Sequence, residues 1–307
     1  MKIIYFLVAV CLAALSCTKE KTDYEAAIDS GATEFTEFKE VVNVLDGDYN
    51  ISIEALNGAF YNGYNEIRLK ITNSHTGEIA SVSAVTFLPI NTNADGVSSS
   101  CPHRYDLLSI PDSNYYSGYS VFTSKSSADE TWELYIGFTI ANQPHALKYP
   151  ITVQEQKNKN LNMTAFTGKD DEQYVIALIA PHRPKVAENE LVAGIYRFNK
   201  PTSPPAGDFP DPAQFTYTEV GGYTLMLDPR MPEPSMGNHS SPNNRDLTQE
   251  SDGLYHGVVN YTMTGNWTLN LMMLNQNGRI LKGTEVPTDF TPGIEGAKSE
   301  LYIDVLF

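Results

Sequence analysis

Between Asp228 and Pro242 the chain reads Asp-Pro-Arg-Met-Pro-Glu-Pro-Ser-Met-Gly-Asn-His-Ser-Ser-Pro, placing the thioethers of Met231 and Met236 and the imidazole of His239 within nine residues on a proline-braced loop. Thioether sulfur is a soft ligand and imidazole a borderline one, so the combination selects copper, Cu(I) above all, over Mg²⁺ or Ca²⁺. Met263 and His256 lie a short way downstream, on or beside the next strand pair. The expectation is that Met231, Met236, His239, Met263 and His256 converge as a four- or five-ligand set. The same residue types also suit a tight loop over a sheet edge, with Met filling gaps and His bonding backbone. Met226, Met272 and Met273 read as core or gap-filling residues, the adjacent pair pointing to opposite faces of a strand.

Little else in the chain has the spacing of a catalytic device. Asp228 and Glu233 are two carboxylates near a loop, with no second cluster to shift their pKa values. No Gly-rich phosphate loop, nucleophile elbow or HExxH spacing is present in the sequence, and the reading is non-enzymatic. His182, between Pro181 and Pro184, reads as part of a structural turn, and His75 and His145 as solvent-facing loop residues. The formal net charge of −16 disfavours nucleic acid and anionic headgroups as partners.

The elements that must hold the Met and His loop are written twice. Phe87-Leu88-Pro89 and Ser99-Ser100-Cys101-Pro102 answer to Leu227-Asp228-Pro229 and His239-Ser240-Ser241-Pro242, with 13 positions between the prolines in both. Asn65-Glu66-Ile67 answers to Asn189-Glu190-Leu191, Tyr116-Ser117-Gly118 to Tyr255-His256-Gly257, and Trp132-Glu133-Leu134 to Trp267-Thr268-Leu269. Blocks kept in order with changing gaps are what two diverging copies leave behind. At the positions of Met231, Met236, His239, His256 and Met263 the first copy has Asn91, Gly96, Ser99, Ser117 and Ser124, so a metal site is expected in the second copy only.

Short alternating runs such as Glu66-Ile67-Arg68-Leu69-Lys70-Ile71 and Trp267-Thr268-Leu269-Asn270-Leu271, bounded by Gly, Pro, Asn and Asp, are the signature of antiparallel strands. They predict an all-β chain of two tandem immunoglobulin-like β-sandwich domains. Trp132 and Trp267 are expected to be core anchors. A basic Lys2, an apolar run from Ile3 to Leu15 and then Ser16-Cys17 form a secretory signal too short to span a bilayer, and the cysteine after a small residue resembles a lipobox. The organisation read from the sequence is therefore a signal peptide (1–16), a polar stalk lipidated at Cys17 (17–40), a first sandwich (41–156) and a second (157–307). That would anchor the protein to the outer membrane of the cell envelope, on its periplasmic side or at the cell surface, by acyl chains. After Cys17 only Cys101 remains, a small buried or loop residue. Gln154 to Asn160 reads as the junction, and the prolines from Pro201 to Pro212 as a surface loop without a counterpart in the first half.

The run from Leu227 to Leu271 resembles the YtkA-like and FixH-like periplasmic domains. The likeness lies in Asp228-Pro229-Arg230-Met231-Pro232, Met236-Gly237-Asn238-His239, Gly253-Leu254-Tyr255-His256-Gly257 and Tyr261-Thr262-Met263-Thr264-Gly265-Asn266-Trp267. The first copy matches only in outline. The resemblance implies an immunoglobulin-like fold, an extracytoplasmic setting and, for some relatives, copper handling or oxidase assembly, with Met231, Met236, His239 and Met263 at matching positions. Two functions are left standing: a non-enzymatic envelope lipoprotein that buffers copper or hands it on, and a scaffold whose Tyr61, Tyr64, Tyr115, Tyr116 and Tyr119 meet a protein or glycan partner.

Overall fold

The structure, a computed structural model, describes residues 37–306; the signal segment, Cys17 and most of the stalk lie outside the described residues. The fold is all-β. The first half runs β1 (Lys39–Asp46), β2 (Tyr49–Ala55), β3 (Phe60–Tyr61), β4 (Gly63–Asn73), β5 (Ser83–Asn93), β6 (Ser98–Ser99), β7 (Leu108–Ser109), β8 (Tyr116–Phe122), β9 (Glu130–Ile140), β10 (Gln143–Ile151) and β11 (Val153–Gln154). The second runs β12 (Met163–Thr167), β13 (Gln173–Ala180), β14 (Glu188–Phe198), a short 3-10 helix (Pro212–Phe215), β15 (Tyr217–Glu219), β16 (Thr224–Met231), β17 (His239–Ser240), β18 (Arg245–Gln249), β19 (Tyr255–Asn260), β20 (Asn266–Leu274), β21 (Ile280–Lys282) and β22 (Tyr302–Leu306). The first strand takes up Lys39 and Glu40, which the sequence reading gave to the stalk, and Glu40 accepts from Ser52 Oγ at 2.6 Å.

Alternation does the positioning. In β4, Asn65, Ile67, Leu69 and Ile71 face inward while Glu66, Arg68 and Lys70 face out. In β9, Trp132, Leu134, Ile136 and Phe138 close the core from the opposite sheet. The first unit stacks a sheet of order β1-β2-β4-β8-β7 on one of order β10-β9-β5-β6. The second repeats that order as β12-β13-β14-β19-β18 and β20-β16-β17, with β21 and β22 together pairing the edge of β20 as β10 pairs β9. Here β18 bonds both β19 and β16, so the two layers join into one continuous sheet around a single core. Residues 283–301, between β21 and β22, form a strap without a counterpart in the first unit.

Two polar residues hold equivalent places. Asn65 Nδ2 donates to the carbonyls of Tyr61 and Gly63 at 2.6 and 2.9 Å, and its Oδ1 accepts from the Tyr61 amide at 2.9 Å. Asn189 makes the same clasp on Lys185 and Ala187, at 2.8, 2.7 and 2.9 Å. Each amide satisfies backbone groups where the chain enters a long strand.

The units meet through aromatic rings. Tyr64 and Tyr119 of the first stack at 5.8 Å, Tyr119 lies 5.7 Å from Tyr196 of the second, and Tyr119 Oη donates to Glu219 at 2.8 Å. Burial raises the Tyr64, Tyr119 and Tyr196 phenols above their ordinary value, so they stay protonated donors. The junction is itself clasped: Gln156 is buried, its Nε2 donates to Asn62 O and Leu161 O, and its Oε1 accepts from Leu161 N. A side chain on Gly63, at φ +105°, would strike the Leu161 carbonyl.

Two expectations gain detail and one, on His145, is corrected. Tyr64 and Tyr119 are interface residues, Tyr115 Oη donates to Glu54, and Tyr116 Oη donates to Val82 O, so these tyrosines are engaged within the molecule. The proline-rich loop is at the surface as expected, and its end and the 3-10 helix after it lie against the first unit, with Phe209 5.9 Å from Tyr135 and Phe215 buried against Leu88 and Ile90. His145 is on β10, stacked on Phe138 at 4.8 Å and paired with Asp46 at 2.9 Å.

Replacing Asn65 or Asn189 with Ala strands buried backbone groups, at a cost of about 1–3 kcal/mol each. Urea unfolding of the two variants should show losses of similar size; a loss in only one of them would mean the clasps are not equivalent.

Candidate functional site

The β16 strand pairs β20 along its length and at its end turns onto β17, where Arg230 lies opposite Ser240 and Met231 opposite His239. Directly opposed residues of an antiparallel pair share a face, so Met231 and His239 lie on the same face at the end of the sandwich, Met231 buried and His239 partly exposed. The loop between them is tight, with Met236 N bonded to Glu233 O and His239 N to Met236 O, and with Gly237 and Asn238 at positive φ. The strap braces it: Gly296 N donates to Pro232 O at 2.7 Å and Asn238 Nδ2 to Pro287 O at 3.2 Å.

A turn after β19 closes over this end. The Trp267 indole N–H donates to Met263 O at 3.0 Å, and Thr262 Oγ1 meets His239 Nε2 at 2.8 Å. The His239 ring lies edge-on to Trp267 at 5.9 Å. The Met231 methyl fills the space beside Gly265, where a Cβ would come within 2.6 Å of it, so glycine at φ +134° is required there. Met231 is 2% exposed and Met263 36% exposed, while Met236 is half-buried against the core.

The structure therefore brings Met231, His239 and the Met263 turn together, with Met236 in the loop between them. It does not bring His256. That residue is the second of β19, opposite Val192 and Thr248, and Asn260, from which the turn departs, is four residues or about 13 Å further along the strand. Both of its ring nitrogens are taken, by Glu190 at 3.1 Å and Asp252 at 3.0 Å. The sequence placed His256 near the loop because both adjoin the same strand; strand direction carries it to the opposite end.

The first unit has the same frame without the ligands. Asn91 lies opposite Ser99 as Met231 lies opposite His239, and Trp132 Nε1 donates to Ser124 O at 3.1 Å as Trp267 donates to Met263 O. Cys101, at the place of Ser241, is fully buried 3.2 Å from Ser120 Oγ, and burial pushes its thiol up to about 12. Burial also lowers the pKa of His103, whose Nδ1 lies 2.7 Å from Cys101 O.

No family model matches the sequence, and no curated protein matches it. Among solved structures the chain is similar to a DUF4785 family protein from Legionella pneumophila subsp. pneumophila str. Philadelphia 1, at 8% identity and TM-score 0.24, over 76% of this chain and 55% of that one. It is also similar to a conserved domain protein from Bacillus anthracis, at 12% identity and TM-score 0.26, over 88% of this chain and 90% of that one. The chain spans little more than half the length of the Legionella protein. At these TM-scores neither likeness bears on function.

Among the described residues no three His, Cys, Asp or Glu side chains are grouped to hold a metal ion. The sequence reading missed the roles of Thr262 and Trp267 at the Met231–His239 end. The matching Trp anchors were visible, but the turn that each indole pulls down over its sheet was not.

Burial lowers the His256 pKa, but the bonds to Glu190 and Asp252 outweigh it and hold the imidazole above its ordinary 6.5. A raised folded-state value means that its contribution to stability is full below 6.5 and is lost as pH rises through the folded value. Asp252 is held below its ordinary 3.8 by the Leu254 amide and by His256, so its own contribution fades only on acidification below that value. Compared with a His256→Gln variant, the wild type should have its largest stability advantage near pH 5 and lose it toward pH 8. An advantage that grows with pH would contradict the clamp.

Proposed function

We propose that this is a non-enzymatic envelope protein, held to a membrane by lipid at Cys17, whose second sandwich takes up Cu(I) at its Met231–His239 end. The observation that carries the reading is the register of Met231 against His239 beneath the Met263 turn. It sets a thioether and an imidazole side by side where the first unit has Asn91 and Ser99. The donor chemistry fits the ion: thioether sulfur and imidazole together suit a soft cation, and copper in particular. The likeness of Leu227 to Leu271 to YtkA-like and FixH-like domains supports the same ion and an extracytoplasmic setting.

Met231 supplies sulfur from the core side, His239 the imidazole, and Met263 a second thioether from the exposed turn, with Met236 in reserve on the loop. His239 must exchange its bond with Thr262 Oγ1 for the metal. Ligands on a loop and a turn suit capture and release more than permanent storage, so the role is buffering or handover to an envelope partner. Among the described residues no helix is long and apolar enough to cross a membrane.

The test is a competition titration of residues 18–307 against a Cu(I) chelator under reducing conditions, beside His239→Ala and Met263→Leu variants. Each variant should bind at least about tenfold more weakly, 1.4 kcal/mol, with unchanged β circular dichroism. Wild-type affinity in both variants would overturn the assignment.

A further inference from the structure

The outer face of the second sandwich carries a second pair of thioethers. Met226 on β16 lies directly opposite Met272 on β20, and the next outward-facing pair is Asp228 opposite Asn270. The neighbours Leu225 and Met273 point into the core and are fully buried, whereas Met226 is 36% exposed and Met272 half-buried. Both line a cleft of about 240 Å³ between the sheet and the start of the strap, with Asp228, Asp246 and Glu285 at its walls.

These methionines are not needed to build the sheet. At the same cross-strand place the first unit has Thr86 opposite Gly137, and it pairs β5 with β9 without any sulfur. The corresponding cleft there, of about 320 Å³, is lined by Phe209 and Pro210 of the proline-rich loop. In the second unit the place is left to two sulfurs. A solvent-facing strand position favours β-branched or aromatic side chains over a flexible thioether, so a matched pair of methionines calls for a cause outside strand formation.

Cβ atoms of directly opposed residues lie about 4.5–5.5 Å apart, and side chains as long and flexible as Met can bring both sulfurs onto one ion. The carboxylates add a negative field that draws a cation in. Two of them are committed: Asp228 is held by Arg230 Nε at 2.9 Å, and Asp246 accepts from Leu227 N at 2.9 Å. Thioether donors exclude Mg²⁺ and Ca²⁺, which take oxygen ligands, and retain soft ions.

We propose that Met226 and Met272 form a second site, for a soft monovalent cation such as Ag(I) or Cu(I). It rests on the register of β16 with β20, independently of the Met231–His239 end.

The experiment uses residues 18–307 with ¹³C-methyl methionine, titrated with Ag(I) in chloride-free buffer, beside a Met226→Leu/Met272→Leu variant. The methyl signals of Met226 and Met272 should shift together and saturate within one equivalent, and the variant should bind one equivalent fewer. If the double variant folds poorly, the wild-type methyl shifts decide alone. Unmoved Met226 and Met272 signals at several equivalents, or full stoichiometry in the folded variant, would overturn the site. Shifts confined to Met231 and Met263 would reject this pair while leaving the copper proposal standing, and shifts confined to Met226 and Met272 would do the reverse.

Discussion

A buried indole must find an acceptor for its N–H, and in this protein that requirement shapes both units. Trp267 is fully buried between the two layers of the second sandwich, and its N–H is met by the Met263 carbonyl; Trp132 is served in the same way by Ser124. An unmet donor at such depth costs about 1–3 kcal/mol, so the turn before each Trp strand is drawn down over the end of the sandwich. In the second unit that turn carries Thr262 to His239 and leaves Met263 at the surface. The geometry of the candidate site follows from satisfying one N–H.

The same frame carries two different sets of side chains because the frame residues and the proposed ligand residues are different residues. Strand order, the Asn65 and Asn189 clasps and the two Trp anchors recur, while Met231, His239, Met226 and Met272 give way to Asn91, Ser99, Thr86 and Gly137 in the first unit. That unit instead receives Phe209 and Phe215 from its neighbour and contributes Tyr64 and Tyr119 to their shared face. The division sets a unit that docks beside a unit that carries the proposed ligands.

Much of the frame was legible in the sequence, because period-two alternation and bulky anchors are local signals. Asn65 with Asn189 and Trp132 with Trp267 could be aligned by eye, and the structure gives each pair the same hydrogen bonds. The candidate site was legible only in part. Met231 and His239 are close in sequence, so the loop that joins them also brings them together in space. His256 was misplaced because alternation reveals a face and not a position along the strand. The opposition of Met226 and Met272 was hidden because register between strands more than 40 residues apart leaves no local trace. Tyr64 and Tyr119 looked exposed because nothing in a turn-rich stretch announces that a second domain will cover it.

The central claim is that the fold depends on the Trp anchor and not on the ligands gathered around it. It is tested most directly by the metal-free unfolding free energy of Trp267→Ala set beside that of a His239→Ser/Met263→Ser double variant, which carries the first unit's residues. The account predicts a loss of about 3–5 kcal/mol for the tryptophan and less than about 2 kcal/mol for the double variant, whose side chains contribute one hydrogen bond and partial packing. A double variant as unstable as Trp267→Ala would contradict it, because the Met and His residues would then be part of the frame.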